Sequence, residues 1–180
     1  MAPDDAAPNL RELVRRVAER LSNPHYGTGP LAELRRMDPR SPTAPAFYRL
    51  LAEMPEQGPL NAAQWALLIH AMALAGPSLL NGREELGKSL FDADYKEGRL
   101  TRLLQARASD LPDMVPRLMR YLAAKGQALN PVALASYISA IGKGGELAEQ
   151  ARERIARHYY RAEYQSGKTP QPSASIGSSA

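Results

Sequence analysis

The segment GPLAELRR, residues 29–36, is followed after a short proline-containing stretch by PAFYRLL, residues 45–51. Each segment carries proline in its first turn, a position where a helix does not need the backbone N–H that proline lacks. Leucines recur at helical spacing, and arginines stand toward the end of each segment. The pair therefore predicts two short helices, Pro30–Met37 and Pro45–Met54, that present Arg35, Arg36 and Arg49.

Apolar spacing near 3.6 residues dominates the rest of the chain, and no segment alternates as a surface strand would. Asn61, Ser109 and Asn130 are predicted to cap helix starts, while Gly76 and Gly126 are predicted to end helices. The remaining helices are expected at residues 9–21, 61–75, 84–91, 97–107, 109–125, 131–141 and 146–165. The fold class is therefore all-α, a compact bundle of about eight helices.

The domain organisation follows from the same pattern. We expect one helical domain over residues 1–165, with halves at roughly 1–76 and 84–165 that share a core. The glycine-rich segment at residues 142–145 is expected to be a hinge before the last helix. The segment 166–180 is rich in serine, proline and glycine, and we expect it to be a disordered tail.

The composition agrees with a helical protein. Hydrophobic residues make up 44% of the 180 residues and aromatic residues only 6%, so the core must consist mainly of leucine and alanine. Lys+Arg 23 against Asp+Glu 19 gives a net charge of only +4. Most of the basic residues are arginine, whose guanidinium suits bidentate phosphate contacts. A GC-rich genome would give the same bias, so composition alone leaves both explanations open.

Three observations bound the compartment and the possible chemistry. The chain has no cysteine, which excludes disulfides, thiolate metal sites and cysteine nucleophiles. The N-terminus, MAPDD, is acidic and has no apolar run behind it, so we do not expect a secretory signal. The longest apolar stretch, residues 65–75, is interrupted by His70 and is too short to span a bilayer. We expect a cytoplasmic protein without a membrane partner.

Residues 82–89, GREELGKS, match the phosphate-loop pattern G-x-x-x-x-G-K-S letter for letter. That motif works by aiming loop amides at phosphates between a buried strand and a helix. No strand pattern precedes the segment, Glu84 and Glu85 would face the phosphates, and no later apolar strand ends in an aspartate for magnesium. We therefore reject the nucleotide site and expect a helix that contains Gly87.

No group of residues has the spacing of an active site. His25, His70 and His158 form no metal-binding pair, and His70 lies in the most apolar helix, where a core histidine is the favoured interpretation. Asp92 and Asp94 lack the downstream ligands of a calcium loop. No serine-hydrolase signature is present. We expect no enzymatic activity, no metal and no cofactor.

Arginines recur at neighbouring positions of the predicted helices. Such stripes can follow a nucleic-acid backbone, because each phosphate that is neutralised releases counterions. A solvated helix face would show the same pattern, and tyrosines beside one stripe could be core or dimer contacts as well as platforms for bases. The groups are Arg99, Arg102 and Arg107; Arg117 and Arg120; and Arg154, Arg157 and Arg161 with Tyr159, Tyr160 and Tyr164.

The paired motif and the helices after it resemble the CasB family, the small subunit of the type I-E CRISPR effector complex called Cascade. The similarity runs from about Gly29 to Tyr164 and is sharpest from Pro45 to Leu50. Residues 131–143 match a family segment that is usually richer in tryptophan, and here Tyr137 and Ile141 stand in its place. Residues 89–90, 103–107 and 113–120 look like the central helices of the family.

The resemblance implies an all-helical, non-catalytic protein that lies as a pair within Cascade and lines a basic path for the DNA strands of the R-loop. Its expected partners are other Cascade subunits, CRISPR RNA, target DNA including the displaced single strand, and a second copy of itself. The residues expected to bind nucleic acid, from the arginine stripes and from positions where the family carries basic residues, are Arg35, Arg36, Arg49, Arg99, Arg102, Arg107, Arg117, Arg120 and Lys143.

Two alternative functions can be set against this one. A helical adaptor that binds only protein would use Trp65 and the leucine faces of its helices. A nucleotide-dependent enzyme would depend on the match at residues 82–89. Salt-dependent binding of single-stranded DNA distinguishes the first function from the adaptor, since only contacts to phosphates give a steep salt dependence.

Overall fold

The computed structural model describes residues 9–55 and 58–167. Within them the chain forms α-helices joined by short loops, and no strand, as the sequence predicts. Single-turn 3-10 helices lie at Pro24–Tyr26, Pro77–Leu79 and Ala108–Asp110. The α-helices are α1 Leu10–Ser22, α2 Thr28–Arg36, α3 Pro45–Leu51, α4 Ala62–Ala75, α5 Leu86–Asp92, α6 Glu97–Leu104, α7 Leu111–Ala124, α8 Pro131–Lys143 and α9 Gly145–Gln165.

Helix α4 forms the centre of the fold. It is apolar on all sides, as expected for a helix surrounded by others, and its side chains of Trp65, Leu68 and Met72 are no more than 1% exposed. Helices α1, α2, α3, α7 and α8 all pack against it. A capping box between Asn61 and Gln64 starts the helix, and Gly76, with φ 91°, ends it. The predicted start and end of this helix are therefore confirmed.

Helix α9 closes the other side of the bundle by packing on α5, α6 and α8. Its contact with α5 is close because Gly87 has no side chain: a Cβ built there would lie 2.1 Å from the Ile155 carbonyl oxygen. One hydrophobic cluster runs from Leu13 of α1 to Tyr159 of α9, so the helices before and after the 77–85 connection contribute to the same core.

Several predicted helix ends were wrong, including those of α3, which ends at Leu51 instead of Met54, and of α5, which begins at Leu86 instead of Glu84. Helix α6 ends at Leu104 instead of Arg107, and its last carbonyls are bound by side chains from other helices: the Tyr137 hydroxyl donates to the Leu103 carbonyl at 3.0 Å. Ser109 does not cap α7. The carboxylate of Asp110 accepts from the backbone N–H of Arg107 at 2.8 Å, so residues 108–110 form a 3-10 turn before α7 begins.

The structure describes only the first two residues of the predicted tail. Ser166 and Gly167 form the turn after α9, and the rest of the predicted tail, residues 168–180, lies outside the described residues. None of the described helices combines the length and the apolar character that crossing a membrane requires.

Candidate nucleic-acid interface

Helix α7 presents the clearest basic surface. Its buried residues include Val115, Leu118 and Leu122, so the opposite side of the helix faces outward. Arg117 and Arg120 lie on that outward side and are exposed. Neither guanidinium has an ion-pair partner among the described residues. Both predicted residues are therefore exposed and unpaired within the described part of the chain, and their binding of nucleic acid stays a prediction.

An arginine that we did not predict borders this surface. Arg40 binds Asp113 with two parallel hydrogen bonds, Nη1 to Oδ1 at 3.0 Å and Nη2 to Oδ2 at 2.7 Å. This pairing lowers the pKa of the Asp113 carboxyl and raises the pKa of Arg40. It ties the loop after α2 to the first turn of α7. The two residues are 73 positions apart, so no local spacing could have indicated the contact.

The ring of Tyr121 borders the other flank of α7. Its hydroxyl donates to the carbonyls of Ala93 at 3.0 Å and Asp94 at 2.8 Å, which fixes the ring. Arg99 lies over this ring with its guanidinium carbon 5.1 Å from the centroid, and the Lys125 ammonium is 5.7 Å from it. Cation–π contact orients both cations without neutralising them. The spacing of Tyr121 and Lys125, one helical turn apart, was the sequence signal that our reasoning missed.

Arg102 and Arg107 continue the basic surface along α6 and the loop after it. Arg102 lies in the last turn of α6 and is exposed. Arg107 is exposed, and both polar groups of the peptide bond that precedes it are hydrogen-bonded. Its N–H donates to Asp110, and Arg152 of α9 donates to the preceding carbonyl of Ala106 at 2.9 Å. We call Arg99, Arg102, Arg107, Arg117 and Arg120 the α6–α7 surface.

Arg35 and Arg36 end α2, and the structure gives them different surroundings. The Nε of Arg35 donates to the Ala73 carbonyl at 2.8 Å, so this residue helps to satisfy the C-terminal end of α4. Arg36 is exposed and makes no ion pair among the described residues. Arg35 thus has a structural contact that Arg36 lacks.

Arg49 and Lys143 lie beside residues that do not belong to the α6–α7 surface. Arg49 lines a depression of about 300 Å³ together with Arg20, His25 and Glu53. Arg20 and Glu53 form an ion pair across it at 3.2 Å. Lys143 is the exposed last residue of α8 and follows Gly142, which approaches the side chain of Gln64. The predicted residues therefore belong to more than one basic area.

The tyrosines of α9 serve mainly to hold the helix in place. The hydroxyl of Tyr159, a buried residue, donates to the Tyr95 carbonyl at 2.7 Å. Tyr160 donates to Glu97 at 2.9 Å, and burial together with this bond raises its pKa to about 12. Tyr164 is 87% exposed and is the one tyrosine of this group that stands free to stack.

The structure gives the phosphate-loop match a packing role. The Gly82 N–H donates to the Leu129 carbonyl at 2.9 Å, with backbone so near that a Cβ would lie 2.5 Å from the Leu129 carbonyl carbon. Gly87 is inside α5 against α9. Lys88 binds Asp92 at 2.7 Å. Within the described residues no strand precedes the segment, so the geometry of a phosphate loop is not formed there.

Two other polar residues singled out from the sequence, His70 and Asp94, also have structural partners. His70 is buried, and its Nδ1 lies 2.8 Å from the Leu34 carbonyl oxygen, which confirms a core histidine. Burial lowers its pKa. Asp94 binds Lys96 at 2.7 Å. No cluster of three potential metal ligands occurs in the part of the chain that the structure describes.

A match to a family model identifies the family of this chain. The family model described as CRISPR-associated protein Cse2 matches residues 30–160. The chain belongs to the Cse2 family. CasB is another name for this family, so the resemblance drawn from the paired motif is confirmed. The match begins at the start of α2 and ends within α9, and it includes all nine residues expected to bind nucleic acid.

A solved structure supports the Cse2 fold. The chain is similar to a chain in the crystal structure of E. coli Cascade bound to a PAM-containing double-stranded DNA target, with a TM-score of 0.57 and 18% identity. The alignment covers 82% of this chain and 96% of the E. coli chain. At this identity the likeness concerns the fold. None of the curated proteins matches the sequence.

Proposed function

We propose that this Cse2-family protein is a non-catalytic subunit of a type I-E Cascade complex that binds nucleic-acid backbone and stabilises the R-loop during antiviral defence. The observation that carries the proposal is the α6–α7 surface, a set of exposed arginines on the two helices and the loop between them that form no ion pair with any described carboxylate. Membership of the Cse2 family supports the assignment to Cascade.

The proposed mechanism follows from the energetics of strand exchange. Replacing DNA–DNA pairing by RNA–DNA pairing is nearly balanced, so protein contacts to the strand backbones decide whether the R-loop persists. Arginines bind phosphates through charge-assisted hydrogen bonds and release counterions from the strand. Contacts of this kind carry no base code. The protein would therefore hold the displaced strand and the guide–target duplex without reading their sequence.

Preorganisation distinguishes the α6–α7 surface from an ordinary solvated face. Arg99 is oriented by the ring of Tyr121, and the backbone at Arg107 is fixed by Asp110 and by Arg152. Side chains or backbone already held in place lose less conformational entropy when a phosphate binds. This lowers the cost of each contact relative to that of a mobile surface arginine.

The proposed partners follow from the same assignment. They are the other Cascade subunits, CRISPR RNA, target DNA with its displaced strand, and a second copy of this chain. The similar E. coli chain comes from a complex with a double-stranded DNA target, which supports this set. Arg36, Arg49 and Lys143 would then extend the contacts beyond α6 and α7, while Arg35 would combine a contact to nucleic acid with its bond to α4.

A helical adaptor without nucleic-acid binding is the competing function. Trp65 cannot serve it as an exposed anchor, because the side chain is 1% exposed within the core. The exposed tyrosines Tyr48, Tyr160 and Tyr164 could still contact a protein. An adaptor would keep the complex together but would leave its DNA affinity unchanged when arginines are removed.

The test uses the reconstituted complex with the triple variant Arg107→Ala, Arg117→Ala and Arg120→Ala. Each phosphate contact should contribute on the order of 1 kcal/mol. We therefore expect mild single-variant effects and about a 100-fold loss of target-DNA affinity for the triple variant. The slope of log affinity against log salt should become shallower by about 2 to 3.

A matched control removes the same number of positive charges from arginines that are already in ion pairs. Arg16, Arg20 and Arg157 bind Glu12, Glu53 and Glu153 respectively and are exposed. Their triple alanine variant should keep nearly the wild-type affinity. Equal losses for both triple variants would mean that only net charge matters. Unchanged affinity and salt slope of the first variant, in a complex that retains the subunit, would refute the proposed surface.

A further inference from the structure

A second large feature lies outside the α6–α7 surface. It is a groove of about 1170 Å³ between α1, the segment 77–86, α8 and the first half of α9. We call it the α1–α9 groove. Its volume exceeds the range of about 300–1,000 Å³ that is typical of small-molecule sites. Its size therefore suits a polymer segment.

Arginines outnumber carboxylates in the lining of the α1–α9 groove. Arg11, Arg15, Arg83 and Arg154 line it, and none of them has an ion-pair partner among the described residues. On the same helix α1, Arg16 binds Glu12 at 3.3 Å outside the groove. The arginines of α1 that line the groove, Arg11 and Arg15, are thus not held in an ion pair with a described residue.

The groove is not a uniformly basic track. Glu19 and Glu85 also line it, along with the amides of Asn81 and Gln150. A phosphate backbone carries a charge at every nucleotide and would meet the repulsion of both carboxylates, whereas a peptide can place uncharged residues opposite them. Amide side chains can donate to and accept from a peptide backbone. This mixture favours a peptide over a nucleic-acid backbone.

An exposed apolar side chain supports the same choice. Leu147 is 49% exposed and lines the groove, as do Val132 and Ala140 of α8. Burying Leu147 against an aliphatic side chain of a partner would remove apolar surface from water. A phosphate backbone would gain nothing from it, whereas a hydrophobic side chain of a peptide would.

We propose that the α1–α9 groove binds an acidic peptide segment, with at least one aliphatic side chain, that belongs to a neighbouring protein subunit. The arginines would bind its carboxylates, and Leu147 would contact its aliphatic side chain. The proposal rests on the proposed function, since the Cascade complex supplies the neighbour. The part of the groove formed by α1 precedes the Cse2 match, which begins at residue 30, so Arg11 and Arg15 add a contact outside the matched region.

The experiment places a photo-crosslinker in the groove of the full chain within the reconstituted complex. The variant is Leu147→benzoylphenylalanine, and the control is Tyr164→benzoylphenylalanine, at a position that is 87% exposed and does not line the groove. After irradiation, crosslinked peptides are identified by mass spectrometry. We expect position 147 to crosslink to an Asp- or Glu-rich peptide of another subunit, and position 164 not to crosslink to that peptide.

Charge variants then test the cause of binding. Combining Arg15→Glu with Arg154→Glu should reduce the crosslink yield at position 147 at least about tenfold. Arg15→Lys with Arg154→Lys keeps both charges and should retain most of the yield. If circular dichroism shows that the variant with two glutamates does not fold, Arg15→Gln with Arg154→Gln replaces it. This variant should also lower the crosslink yield at position 147.

Several outcomes would overturn the proposal. They are a crosslink to nucleic acid, a crosslink to a second copy of this chain, a crosslink to a peptide without acidic residues, no crosslink at all, or a yield that does not depend on the two charges. Target-DNA affinity measured on the same complexes reports separately on the α6–α7 surface. Failure of the groove and failure of the proposed function can therefore be told apart.

Discussion

Replacing Gly87 by alanine should destabilise the protein although it places a better helix former inside α5. A Cβ at this position would lie 2.1 Å from the Ile155 carbonyl oxygen and 2.9 Å from the Tyr159 backbone nitrogen, where ordinary contact begins at 3.4 Å. Both are backbone atoms of α9. Because no flexible side chain can turn away, α5 and α9 would have to separate by about 1 Å.

The size of the effect follows from two opposing terms. Alanine gains up to about 1 kcal/mol of helix propensity over glycine. Overpacking of a close contact costs about 1 to 3 kcal/mol, and more when backbone must move. The separation would also loosen the edge-to-face contact of Phe91 with Tyr159, whose ring centroids are 5.6 Å apart. We expect a net destabilisation of about 2 kcal/mol, which lowers Tm by about 4 to 8 °C for a chain of this size.

Gly98 provides the matched control. It lies in the first turn of α6, and a Cβ built there meets nothing within 4 Å. Gly98→Ala should therefore raise stability by up to about 1 kcal/mol. Both variants are compared with wild type by thermal and urea unfolding followed by circular dichroism. The reasoning fails if Gly87→Ala is as stable as wild type or shifts in the same direction as Gly98→Ala.

Two further predictions concern single residues. Lys88→Ala should leave target-DNA affinity unchanged. It should cost less than about 1 kcal/mol of stability, because the bond of Lys88 to Asp92 is an exposed ion pair. If calorimetry detected ATP binding that this substitution abolishes, the packing role of the 82–89 segment would be contradicted. Burial lowers the pKa of His70 in the folded protein from its ordinary value of 6.5. Below that pH the unfolded chain therefore binds more protons than the folded protein, and stability should fall as the pH drops through 6.5. Urea unfolding should show that wild type is less stable at about pH 5.5 than at about pH 7.5, and that His70→Asn loses less stability over the same interval. A variant with the same pH dependence as wild type would exclude His70 as its source.

Local chemistry explains why so much of the fold could be predicted. Asn61 and Gln64 form a capping box that reads directly from the sequence, and Gly76 can take the positive φ that ends α4. The proline at the first position of α3 and of α8 acts in the same way. These signals involve residues within a few positions of one another, so they do not depend on the tertiary arrangement.

The wrongly predicted end of α6 arises from long-range contacts instead of local sequence signals. Whether α6 continues past Leu104 is decided by Tyr137 and Arg152, which lie on α8 and α9 and bind the Leu103 and Ala106 carbonyls. Propensity alone favours continuing the helix there. The close approach of Gly87 to α9 is likewise invisible until two segments far apart in sequence are packed together. Long-range contacts override local preference at these points.

The same distinction decides which arginines of the α6–α7 surface are left unpaired. By spacing, Asp113 should pair with Arg117 one turn later, but the structure gives this carboxylate to Arg40 with two hydrogen bonds. Asp110 is spaced to neutralise Arg107, but it accepts from the backbone N–H of that residue. Arg120 has no acidic residue three or four positions away on either side. Contacts from outside α7 and from the turn before it thus occupy the local carboxylates, and a sequence that looks locally balanced leaves arginines available for phosphates.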